Sequence, residues 1–78
     1  MAARRPVLDD DDLYWLVGIV EDAEGVADAR EEYEQLSFLM GLRDRLNGDD
    51  KRRPAIGDVS DYQRGADYAE RLLAALGR

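Results

Sequence analysis

The sequence predicts an all-α fold, a small three-helix domain with helices at roughly 9–23, 26–47 and 58–76. Three observations predict it. Apolar residues recur at spacings of three and four rather than two. Cap and stop signals divide the chain at Asp9–Asp12, Asn47-Gly48, Asp58 and Gly77. No second segment reads as a strand that the run Leu13–Val20 could pair with, and a lone strand would leave its backbone hydrogen bonds unmade. A chain of 78 residues has room for one domain.

Residues 1–8 are expected to form an arm, with the helical domain spanning 9–78. Asp9–Asp12 suit a helix start, because carboxylates cap the first N–H groups and favour the dipole. Leu13, Leu16, Val17 and Val20 then fall on one helical face. The same run is rich in aromatic and β-branched residues, so a strand completed by another chain is the competing assignment. Gly25 is expected to break the helix. The second helix carries the stripe Val26, Ala29, Tyr33, Leu36, Met40 and Arg43, and Asn47-Gly48 stops it. Pro54 and Gly57 exclude a continuous helix through the polar connector 47–57. Asp58 caps the third helix, with Asp61 placed for a short-armed capping box. Val59, Tyr62, Ala66, Ala69, Leu73 and Leu76 give it a regular apolar face. Helices two and three are expected to pack antiparallel with helix one over them. Leu13, Val17, Tyr33, Leu36, Met40, Tyr62, Ala69 and Leu73 should form the centre.

Composition removes many functions. Without Cys or His there is no disulfide, and a zinc site lacks its usual ligands. The usual general base and thiol nucleophile are also missing. Ser37 and Ser60 are the only serines, Thr is absent, and neither serine sits in a Gly-x-Ser-x-Gly turn. The glycines are scattered singly, so no phosphate loop is present. A calcium loop needs Gly at its sixth position, where counting from Asp49 gives Pro54 and from Asp9 gives Tyr14. The expectation is a protein that is not an enzyme and uses no metal or cofactor. Leu13–Val20 is too short to span a bilayer, and no apolar leader precedes it, which points to a cytoplasmic protein with no membrane partner.

The formal net charge is −7, and it is unevenly placed. Residues 1–35 hold three basic and eleven acidic residues, whereas 36–78 are nearly balanced. Asp9, Asp10, Asp11, Asp12, Asp28, Glu31 and Glu32 form a candidate acidic face for a partner with a basic surface. Helical neighbours stand about 5–6 Å apart, a spacing comparable to that of backbone phosphates. Helix capping accounts for many of these residues without any partner. The cluster Lys51-Arg52-Arg53 is small against the overall negative field, so no direct nucleic-acid binding is expected.

Apolar residues also fall on the wrong sides of helices. Measured from the helix-one stripe, Trp15 projects at about 200° and Ile19 at about 240°. Phe38 points opposite Leu36, and Leu42 lies off the second stripe. Segments apolar all round are normally buried, and three short helices cannot easily enclose two of them. Trp15, Ile19, Phe38, Leu39 and Leu42 are therefore a candidate hydrophobic interface. A homodimer is expected, pairing around Phe38, Leu39 and Leu42 and leaving the acidic half outward. The functional expectation is a non-catalytic acidic interaction module that occludes or bridges a protein partner. The alternative is an acidic nucleic-acid mimic of the phage or mobile-element anti-defence type, which would block a DNA- or RNA-binding host protein.

Overall fold

The computed structural model describes residues 9–49 and 57–75. Three helices account for most of them: α1 (Asp10–Ala29), α2 (Tyr33–Leu46) and α3 (Val59–Ala75). The expected arm 1–8, the Lys51-Arg52-Arg53 cluster and the expected end of helix three at 76 lie outside the described residues.

Helix α1 starts at a capping box. Asp9 Oδ1 accepts from the Asp12 N–H at 2.8 Å, and the Asp12 carboxylate accepts from the Asp9 N–H at 3.5 Å. Half of the tetra-Asp run is thus used in starting a helix. The helix does not stop at Gly25, as the sequence suggests, but continues to Ala29. It ends where Glu31 takes a left-handed φ of 58°. There the Glu32 N–H donates to Ala27 O and the Glu31 N–H to Asp28 O, the paired bonds of a Schellman motif.

Helix α2 closes with the same motif at the expected place. Gly48 has φ 77°, the Asp49 N–H donates to Asp44 O, and the Gly48 N–H donates to Arg45 O. The two ends differ in one respect. Gly48 adopts the left-handed conformation freely, whereas at Glu31 a Cβ crowds the following carbonyl. In α3, Asp58 Oδ1 caps by accepting from the Ser60 N–H at 2.6 Å. Asp61 accepts from Arg64 at 3.0 Å instead of completing a box.

Helix α2 is the middle of the molecule. It packs on α1 and on α3, while no Cα atoms of α1 and α3 approach within 8 Å. The three-residue link 30–32 makes α1 and α2 an αα-hairpin. The α2–α3 pairing corrects the antiparallel expectation. Ser37 meets Asp58, Gly41 meets Tyr62, and Leu46 clusters with Ala69, so contacts advance along both helices together. The two helices run in the same general direction, with the start of α3 beside the early part of α2.

Their approach is very close. A Cβ on Gly41 would collide with the Tyr62 carbonyl, and one on Gly65 with the Phe38 carbonyl. Glycine on both helices permits this backbone contact. The Ser37 hydroxyl, fully buried, donates to Asp58 O at 2.6 Å and pins the start of α3. The core groups Val17, Val20, Leu42, Leu46 and Ala69, with Leu13, Leu16, Phe38, Leu39 and Leu73 packed around it. Tyr33, expected at the centre, is instead exposed at the start of α2.

Candidate functional site: the outer face of α1

Position in the bundle decides which all-round apolar segment is enclosed. Leu36–Leu42 belongs to the central helix and is covered from both sides. Leu42, expected on a dimer surface, is only 9% exposed and sits in the chain's own core. Phe38 and Leu39 are half-buried. Phe38 stacks at a tilt on Tyr68, with ring centroids 5.9 Å apart, and the Arg64 guanidinium lies 5.7 Å from its centre. A shallow groove of about 370 Å³ opens beside them. Its aromatic floor is already covered by Arg64, whose charge is paired with Asp61.

The segment Leu13–Val20 is covered on one side only. Val17 and Val20 face α2, with Glu24 and Ala27 continuing that buried line. On the opposite side Trp15 is 71% exposed, Ile19 46% and Val26 52%. Spacings of four and seven bring these three within about 40° of one another around the axis, so they form a single ridge. Tyr14, 83% exposed, projects about 100° or more away from this ridge around the axis. The sequence places Val26 on the stripe of the second helix rather than on this ridge, because Gly25 reads as a stop. The signal that would have found the ridge is its own spacing, continued through Gly25.

Two glycines lie on the same outward side. A Cβ built on Gly18 or Gly25 meets nothing within 4 Å. Neither has a positive φ, so backbone conformation does not demand glycine at either position. Each costs the helix about 1 kcal/mol relative to alanine.

The electrostatics of α1 are one-sided. Its sequence carries seven acidic residues and no basic one. Asp28 lies in its last turn, where the dipole favours a cation. The expected acidic face is divided by the structure. Asp10, Asp11 and Asp28 are exposed on α1, Glu31 lies in the link, and Glu32 occupies the N-cap position of α2. Asp28, Glu31 and Glu32 therefore do not share one helix, as their spacing suggested. Glu32 is also within 3.9 Å of Arg30.

The buried face of α1 holds a polar chain that the sequence did not reveal. Glu24 Oε1 pairs with Arg43 Nη1 at 2.9 Å, and Arg43 Nη2 reaches Asp44 Oδ1 at 3.3 Å. The Tyr62 hydroxyl donates to Asp44 Oδ2 at 2.6 Å. One residue from each outer helix is thus joined through α2. Burial pushes the Glu24 carboxyl above its usual range, against the opposing pull of Arg43. Its Oε2 is buried without a hydrogen-bond partner. Burial and the Asp44 hydrogen bond raise the Tyr62 phenol far above its usual value. These groups tie the three helices together.

Among the described residues no group of acidic side chains is placed to hold a metal ion, and no helix is long and apolar enough to cross a membrane. No family model, curated protein or solved structure matches the chain.

Proposed function

We propose that the protein is a non-catalytic interaction module that docks on a basic protein surface through the outer face of α1, and that it acts by occluding or bridging that partner. One observation carries this: α1 bears two apolar lines, and the chain covers one of them. Aromatic residues in an exposed apolar line are frequent anchors of protein interfaces. The acidic surroundings favour a partner of opposite charge. Pairing two copies through this ridge would bring two wholly acidic helices together, which disfavours a homodimer there. The alternative, mimicry of a nucleic acid, draws its support from the acidic residues of α1 alone and does not need the ridge.

Affinity enrichment from extracts of the cell that makes the protein separates these. Capture of a specific partner should be lost with Trp15→Glu and persist, weakened, with Asp28→Asn plus Glu31→Gln. Capture that survives Trp15→Glu but fails with the neutralised acids would favour mimicry. Capture indifferent to both would remove α1 as the docking site.

A further inference from the structure

We infer that the outer face of α1 is shaped to receive one α-helix, and that its occupant is a basic amphipathic helix of a partner protein. This deepens the proposed docking role and rests on it. The first support is the apolar ridge of Trp15, Ile19 and Val26, exposed along one line of the helix. Such a line, with steps of four and seven, is the pattern that an α-helix presents to another helix.

The shape beside the ridge narrows the occupant. Gly18, Asp22, Gly25 and Ala29 fall on an adjacent line, within about 60° of one another. Elsewhere in this chain a helical glycine marks close approach of another helix. Gly41 and Gly65 each face a carbonyl of the opposite helix, whereas Gly18 and Gly25 face open space. With no Cβ at two positions one heptad apart, an incoming helix can settle low against the backbone and lean on the Trp15 ridge.

Charge identifies the occupant's chemistry. Asp11, Asp12 and Asp22 fall within about 60° of the ridge around the axis, and α1 carries no basic residue. Lys or Arg flanking a narrow apolar seam would satisfy these groups, whereas a second copy would multiply the repulsion.

The test uses the full chain and two labelled synthetic peptides of about 20 residues, long enough for marginal helicity. Both have a Leu/Ala seam; one is flanked by Lys and the other by Glu. Fluorescence anisotropy measures binding, and circular dichroism with thermal melting checks each variant's fold. The Lys peptide should bind, more weakly as salt rises, and the Glu peptide should not. Trp15→Glu adds negative charge and would strengthen mere charge attraction, yet it should weaken binding by about tenfold or more. Gly18→Ala with Gly25→Ala should raise the melting temperature of the free chain while also weakening binding. That pair cannot lose binding by failing to fold.

Equal affinity of the Lys peptide for all variants would reduce the effect to general charge attraction and overturn the inference. So would binding of both peptides, binding of neither, or a Trp15-dependent dimer of the chain alone in sedimentation velocity. If peptide binding fails while Trp15-dependent capture from extracts persists, the docking role stands and the helical occupant is wrong. If both fail, the docking role falls too.

Discussion

The α2–α3 seam and the outer face of α1 use the same residue type in opposite circumstances. At the seam, Gly41 and Gly65 let two backbones touch, and the contact compensates for the helix stability that glycine gives up. On α1, Gly18 and Gly25 give up the same stability and touch nothing. The seam also satisfies its polar groups, through Ser37 on Asp58 and Tyr62 on Asp44. The outer face instead combines an exposed indole with interior glycines that meet nothing. Local choices that conflict with local stability, gathered on one face, mark the part of a small protein not optimised for its own fold.

Substitution at the glycines should separate the two regions most strongly. Gly41→Ala or Gly65→Ala forces a methyl onto a backbone carbonyl and should destabilise by about 3 kcal/mol. Gly18→Ala and Gly25→Ala should each stabilise by about 1 kcal/mol. Urea denaturation reads both signs, and destabilisation by Gly18→Ala would mean that this face is already packed. Tyr62→Phe removes the hydroxyl from a buried carboxylate and should cost about 2 kcal/mol, with helicity at low temperature retained. Glu31→Gly should raise stability by about 0.5–1 kcal/mol, because glycine accepts the left-handed φ of the α1 stop. A loss of stability there would show that the Glu31 side chain holds the link by a contact of its own.

The smallest expected effect concerns pH. The folded-state pKa of Glu24 is raised above 4.5, so the native chain holds this proton more tightly than the unfolded chain does. Its contribution therefore favours folding as pH falls through that window and is lost as pH rises. Melting temperatures of wild type and Glu24→Gln, compared from about pH 7 to about pH 5, should show the wild type gaining on the variant at the acid end. Parallel curves would mean that Arg43 fully offsets the burial.

Much of the fold was legible because the signals were local. Tyr62, Ala66, Ala69 and Leu73 of the α3 stripe, the Asp58 cap and the Asn47-Gly48 stop appear where their residues predict, whereas Val59 at the start of the stripe is exposed. The α1–α2 boundary was not legible, because glycine signals a stop only when it is needed in the left-handed region. Gly25 stays helical, and Glu31, with no such signal, makes the turn. The direction of α3 against α2 was hidden because a connector of that length permits either arrangement. The small pairs Ser37/Gly41 and Gly65/Ala69, each four apart, do point to a close helix crossing. Which of two all-round apolar segments would be enclosed depends on which helix is central, a property of the assembled bundle. Trp15 and Ile19 were thus singled out as surface residues, and they are exposed, whereas Leu42 was singled out with them and lies in the core.

Trp15 is the only tryptophan in the chain, so its fluorescence reports the central claim without a label. Emission and acrylamide quenching should be measured on the free chain and on its complex with the captured partner. An outward-facing α1 ridge predicts an indole with a water-like emission and ready quenching in the free chain. In the complex it predicts a blue shift with protection from quenching. An indole already blue-shifted and protected in the dilute free chain, or one left unchanged by the partner, would contradict the assignment of this face as the docking surface.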